Sequence, residues 1–417
     1  MTAQIEAPKQ DLAYQKRTKQ AILWTSLFNE PLFSIYVLLG VILRKDLDAT
    51  AFQIALLTML KPLVAVFSFY WSSSIRGRAG KLRSNMLFAG FLLRLPFLFF
   101  PFVENTWFYI ASGASYMLFY RAGNPAWMEI LKRNLPKVQR DRYYSLGSAL
   151  GFGLSVLLAI LLGRILDLFA FSWKWIFFGS SIIGLFSLAL QAFVPINGSD
   201  KKMEKSQVLS WKDHVLEPWK ASMNLMKQRP DFSRFQWAFM IGGFGLMLFQ
   251  PVLPLFFVDV LNLSYMDMTI ALLICKGLGF CLSSSTWARL MQIISFKKIT
   301  SLVCILFALF PVLLFLAPVY LPFVYLAHVI YGIASAGSHL VWNLSGPIFA
   351  KEEDSSRYSS VNVVMVGIRG AVGPPLGGFL SLALGPIGVL LIGMSLCFFG
   401  AARMYFRLKK PAKAISA

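Results

Sequence analysis

Twelve apolar stretches punctuate this 417-residue chain, each roughly 18–25 residues long and able as a helix to cross the ~30 Å hydrocarbon core of a bilayer. They run over 20–42, 52–71, 85–103, 107–127, 143–166 and 173–195, then 235–258, 268–288, 299–317, 319–342, 358–382 and 385–407. The faintest break lies near Pro318, between the ninth and tenth. In lipid a backbone has to satisfy its own hydrogen bonds, which at these lengths means helix. A chain that is 57% hydrophobic with a mean hydropathy of +0.63 is too apolar for a soluble globule.

The stretches repeat. Ile54-Ala55-Leu56-Leu57 followed by Trp71 returns as Ile270-Ala271-Leu272-Leu273 followed by Trp287. Pro125 with Arg142-Tyr143 is answered by Pro347 with Arg357-Tyr358. Thr50 with Gln53, and Ser264 with Asp267, read as capping pairs at the starts of the second and eighth spans. Gly147 and Gly151 in the fifth span match Gly373 and Gly377 in the eleventh, a four-residue spacing that lets helix backbones approach closely. Two similar halves inside a membrane protein point to transport.

The organisation expected is a cytoplasmic tail (1–19), a six-helix bundle (20–195), a linker (196–234), a second bundle (235–408) and a tail (409–417). Within the linker Trp211, Val215, Trp219 and Met226 recur at helical spacing, as in an amphipathic helix lying on the membrane surface. A formal charge of +21 would suit nucleic-acid binding, but the bases cluster in the termini and the even-numbered connections. Arg44, Lys45 and Lys174 stand apart in the opposite connections. That asymmetry is the positive-inside pattern, so both termini are expected in the cytoplasm and no nucleic acid as partner. Residues 1–18 are too polar for a cleavable signal peptide. Cys275, Cys281, Cys304 and Cys397 lie in spans without metal or redox spacing.

Twelve spans in two halves, a basic central loop and cytoplasmic termini resemble the major facilitator superfamily. Trp71-Ser72-Ser73-Ser74-Ile75-Arg76-Gly77-Arg78 is similar to that family's motif between the second and third helices, without its Asp. Trp287 through Lys297-Lys298 is the counterpart in the second half, again without the acid. Asn124-Pro125-Ala126 through Arg140-Asp141-Arg142 looks like the family's loop between helices 4 and 5. Gly373-Pro374-Pro375-Leu376-Gly377-Gly378 is similar to an antiporter motif but stands in the eleventh helix rather than the fifth. The resemblance implies an all-α fold of two six-helix bundles related by pseudo-two-fold symmetry. It also implies a central cavity lined by helices 1, 4, 7 and 10, with Arg76, Arg78, Arg142 and Arg357 in coupling or gating.

Ionisable side chains in spans cost about 2.5–3.5 kcal/mol each on insertion scales and need a compensating role. Near mid-depth stand Glu30, Lys61, Arg94, Arg121, Lys276 and Arg369, one acid against five bases. A cavity they face would attract anions. The candidate solute-binding residues are Glu30, Lys61, Arg121, Lys276 and Arg369, joined by Asn29, Ser34, Tyr116, Tyr120, Gln250, His328, Ser335 and His339 from polar stripes on helices 1, 4, 7 and 10. Arg94 is set aside, since the third helix is peripheral in the resembled fold. Glu30, which has no counterpart in the second half, is the candidate for proton coupling or else a permanent ion-pair partner. His328 and His339 are ~16 Å apart along a helix and cannot share a metal.

No metal or other cofactor is expected. An enzyme would need convergent nucleophiles, metal ligands or paired acids, and no such set is present. With no phosphate-binding Gly-Lys motif, the energy source is expected to be a gradient. The expected function is secondary active transport of a small anionic solute by alternating access, with protons or another ion coupled. The protein would be a monomer in the cell inner (plasma) membrane. Two alternatives stay open: an exporter of hydrophobic drugs or lipids, and a non-transporting receptor or scaffold.

Overall fold

The computed structural model describes residues 9–73, 79–196, 211–350, 353 and 355–406. Within these, side-chain surroundings are described except at 9–12, 61, 65–73, 79–80, 137, 211–218, 355–357 and 359–360. Among the described residues the structure is helical without strands. In chain order the α-helices are α1 (Lys9–Val37), α2 (Leu39–Leu47), α3 (Ala51–Ser73), α4 (Ala79–Leu92), α5 (Thr106–Asn134), α6 (Lys137–Leu168) and α7 (Ser172–Ala192). They continue as α8 (Trp211–Gln228), α9 (Pro230–Phe249), the short α10 (Leu253–Leu255) and α11 (Tyr265–Thr269), then α12 (Lys276–Ile293), α13 (Phe296–Leu316), α14 (Pro322–Ala350) and α15 (Ser355–Phe406).

By length and composition, eight described helices can cross a membrane, or nine if α1 and α2, bent by 45° at their junction, make one span. The helix α5 has 29 residues, but the polar stripe through Tyr116, Tyr120 and Arg121 lowers its hydropathy. The long α15 is two helices joined at Gly385, whose backbone (φ 65°, ψ 173°) is non-helical. This break falls between the eleventh and twelfth expected spans. The gap from Leu316 to Pro322 separates α13 from α14 around Pro318.

Two expected continuous spans change geometry at prolines. The third span leaves α-helix after Leu92 and continues as a 3₁₀ helix over Leu95–Phe102 that contains Pro96 and Pro101. Proline removes a backbone donor and crowds the preceding turn, so the i→i−4 ladder cannot run through. The seventh span behaves alike: α9 ends at Phe249, Pro251 and Pro254 follow, and a π-helical turn occupies Phe256–Val260. The eighth span contains a second π turn, Ile270–Cys275, directly before Lys276.

The chain divides into two compact units, one holding residues 1–42 and 67–206, the other 43–66 and 207–417. Residues 43–66 belong to the first half of the sequence but pack with the second unit. The reason is local. Arg44 forms a two-oxygen ion pair with Asp259 at 2.9 and 3.1 Å, Lys45 donates to the Leu263 carbonyl at 2.8 Å, and Tyr265 donates to Asp46 at 2.7 Å. Further along, Gly378 leaves room for Ala51 and Ala55, and Gly370 for Pro62.

Two of the four repeat positions are buried in both copies, and at the first Ile54 is buried while Ile270 is half-buried. Ala55 and Leu57 are buried, as are Ala271 and Leu273. Both capping pairs form, Thr50 with Gln53 and Ser264 with Asp267, each closing both arms of the box. The repeated Arg-Tyr dipeptide has a structural use. The Lys19 ammonium lies 5.4 Å from the Tyr143 ring in the first unit, and the Arg229 guanidinium 5.4 Å from the Tyr358 ring in the second. Each tyrosine thus holds a base near the start of the first helix of its own half, a cation–π contact.

Candidate functional site

In the first unit the polar residues gather around Glu30. The glycines Gly147 and Gly151 of α6 form a cradle on which α1 rests: a Cβ at Gly147 would meet Ser26 Oγ, and one at Gly151 would stand 3.1 Å from Glu30 Oε2. Ser34 donates to Glu30 Oε1 at a long 3.5 Å. Asn29 accepts from Arg94 Nη2 at 2.6 Å, and Arg94 also donates to the Gly90 carbonyl. Arg94 is 4% exposed and lies against Gly184 of α7, where any side chain would displace it. It occupies the break between α4 and the 3₁₀ helix.

Tyr36, Tyr116 and Tyr120 stack beside this group. Tyr36 donates to the Gly113 carbonyl at 3.2 Å, and Arg121 lies close enough to Tyr36 and Tyr120 to interact electrostatically with both. Glu30 likewise senses Tyr116 and Tyr120. The structure therefore brings together Asn29, Glu30, Ser34, Tyr116, Tyr120 and Arg121. It adds Tyr36 and Arg94. Tyr36 stands seven residues after Asn29 on the same helix, a spacing that marks it in retrospect.

In the second unit the centre is Tyr331 of α14. The Lys276 ammonium lies 5.0 Å from its ring centre, and Gln250 donates to its hydroxyl at 3.2 Å. The helices α12 and α14 cross where Gly332 meets the Lys276 backbone, and the π turn before Lys276 sets which way that residue leaves the helix. Tyr331 was absent from the expected set, although it adjoins Gly332 on the tenth span.

The other second-unit candidates make contacts of their own. His328 is 2% exposed, bonds Val324 O through Nδ1 at 2.8 Å and sits between Phe257 and Phe310, so it is a packed interior group. Ser335 donates back to the Tyr331 carbonyl at 2.7 Å. His339 is exposed beside Asn343. Arg369 is 8% exposed, lies 5.1 Å from the Phe239 ring and fills the space left by Gly243.

Among the described residues none of the ion pairs includes Glu30, Arg94, Arg121, Lys276 or Arg369. No group of three or more potential metal ligands occurs among them either. Of the expected gating residues, Arg142 is exposed near the start of α6. The side chains of Lys61 and Arg357 and the whole of Arg76 and Arg78 lie outside the described residues. At the start of α9, Arg229 bonds Asp231, Glu353 at 2.7 Å, the Tyr358 hydroxyl and the Phe349 carbonyl. The Asp231 hydrogen bond leads in raising the Arg229 guanidinium above its ordinary pKa.

Long apolar helices with polar residues held at mid-span define a polytopic membrane transport protein. The family model of the Major Facilitator Superfamily matches residues 22–346, and the chain belongs to that family. No curated protein sequence matches it. Solved structures with the same fold include the nucleoside transporter NupG, at TM-score 0.66 and 13% identity, covering 94% of this chain and 100% of that one. A POT family transporter in complex with 5-aminolevulinic acid aligns at TM-score 0.70 and 12% identity, over 94% and 95%. A bacterial homologue of the human lysosomal transporter Spinster, inward-facing and unoccupied, aligns at 0.58 and 15%, over 96% and 99%. The protein is a transporter of the secondary class and not an enzyme.

Proposed function

We propose that the protein moves a small anionic solute by alternating access and couples that movement to protons through Glu30. One observation carries the reading: the bases Arg121, Lys276 and Arg369 stand in span segments of a protein whose described ion pairs leave them without a carboxylate. A base in a span without a counter-ion is costly, and an anion supplied by the solute would offset that cost. Lys276, held over Tyr331 with Gln250 alongside, is the base of the second unit's polar centre, and Arg121 is that of the first. Glu30 rests in a glycine cradle with one long hydrogen bond, so its proton can leave without dismantling a network.

The same reading keeps twelve spans, two symmetry-related bundles, both termini in the cytoplasm, a plasma (inner) membrane location and a monomeric state. Counterflow in proteoliposomes tests it. Small organic anions are expected to exchange and matched cations not to, and Glu30→Gln is expected to retain exchange while losing accumulation driven by a pH gradient. Selective exchange of cations would remove the charge argument, and full gradient-driven accumulation by Glu30→Gln would remove the coupling role.

A further inference from the structure

The tyrosines of the first unit form a ladder with one closed end and one open end. Tyr36 and Tyr116 stack with centroids 4.3 Å apart and planes 29° apart; Tyr116 and Tyr120 follow at 6.0 Å and 14°. The closed end is in the core, where Tyr36 and Tyr116 are 2% and 3% exposed and Phe97 meets Tyr116 edge-on at 5.8 Å. At the open end Tyr120 keeps 51% of its surface exposed.

Tyr120 is not placed as lipid-facing tyrosines are. Those favour the headgroup level at helix ends, whereas Tyr120 is at the midpoint of α5, which runs from Thr106 to Asn134. Its neighbours are polar or charged: Arg121 follows it in sequence, and Tyr144, Glu30 and Arg121 interact with it electrostatically. A surface holding an arginine and a carboxylate at mid-helix is a polar surface. The ring on it is already oriented, because four-residue spacing on α5 stacks Tyr120 on Tyr116 and Tyr36 backs Tyr116 from α1. Aromatic rings associate at centroid separations of about 4.5–7 Å in offset-parallel or edge-on arrangements. A fourth ring added to the open end would continue the ladder at no cost in ordering the platform.

We propose that Tyr120 is a stacking platform for a planar ring carried by the solute, so that the transported anion belongs to the aromatic or heteroaromatic class. The inference rests on the reading that the solute is a small anion. Arg121 stands next to the platform to meet the charge, and the ring determines which anions are retained.

The test is binding to the purified full-length protein, measured by calorimetry, with benzoate against cyclohexanecarboxylate and benzylamine against cyclohexylmethylamine. Each pair keeps charge and approximate size and changes only the flat ring. Benzoate is expected to bind roughly threefold to tenfold tighter than its saturated partner, the range of an aromatic pair. The preference is expected to persist in Tyr120→Phe and to vanish in Tyr120→Leu, which keeps bulk at a half-exposed position. Equal binding of ring and saturated partners in both charge classes, no binding of any of the four, or a ring preference that survives Tyr120→Leu would each overturn the proposal. A ring preference found only among the ammonium pair would uphold the platform and overturn the anionic reading, so the two failures are distinguishable.

Discussion

Glu30 and Arg94 show how single residues divide the labour in the first unit. The carboxylate of Glu30 needs the absent side chain of Gly151, because a methyl there would stand 3.1 Å from Oε2. Replacing a helical glycine by alanine otherwise favours helix by about 1 kcal/mol, so Gly151→Ala is expected to leave thermal stability nearly unchanged while lowering gradient-driven uptake. Unaltered uptake would separate the cradle from coupling. Arg94 makes the opposite case. Its side chain is buried, tied to Asn29 and pressed on Gly184. Gly184→Ala is expected to cost about 1–3 kcal/mol through overpacking, read as a lowered midpoint of thermal unfolding in detergent. In an Arg94→Ala background the same change is expected to cost much less, since the atoms it strikes are gone; equal costs in both backgrounds would refute the contact.

At the scale of elements, the informative places are where helices begin, bend and end. Gly385 splits α15 with φ 65° and ψ 173°, a conformation nearly confined to glycine. Gly385→Ala is expected to destabilise the protein by about 1–3 kcal/mol, although nothing crowds the added methyl; a neutral result by thermal unfolding would mean that the turn relaxes. Ser264 caps the eighth span and shares Asp267 with Tyr325, which donates to its second oxygen at 2.6 Å. Ser264→Ala is expected to cost about 0.5–2 kcal/mol, and the corresponding Thr50→Ala a similar amount if the two boxes are equivalent; the same unfolding assay compares them. At the start of α9, burial pushes the Asp231 carboxyl up, but its hydrogen bonds from Arg229 and the Phe232 backbone outweigh that and leave it below the ordinary carboxylate range. The sign follows: this pair supports the fold above the unfolded carboxyl's pKa, and the support is lost as pH falls through the lowered folded value.

For the whole molecule, the halves of the sequence and the compact units are different partitions. The outward connection that carries Arg44 and Lys45 reads in sequence as an exception to the positive-inside pattern. In the second unit these bases have partners, Asp259 and the Leu263 carbonyl, which gives them a structural use apart from topology. The proposed topology has Asn105 and Lys227 on opposite sides of the membrane. With the native cysteines replaced, Lys227→Cys is expected to react with an impermeant maleimide from the cytoplasmic face and Asn105→Cys from the other; labelling of both from one face would break the topology.

The helical membrane class, the breaks between spans near Pro318 and between 382 and 385, and both capping boxes were legible in the chain. They depend on hydrophobic period, local backbone chemistry and spacing along one or two helices, all of which are written in neighbouring residues. Tertiary packing alone decided that His328 is an interior group, that Arg94 braces Asn29, that Tyr331 organises Lys276 and Gln250, and that residues 43–66 pack with the second unit. Each of these turns on which side chain meets which across helices far apart in sequence, and often on a glycine that makes room. Periodicity assigns a residue to a face of its helix; only the neighbouring helix determines what that face meets.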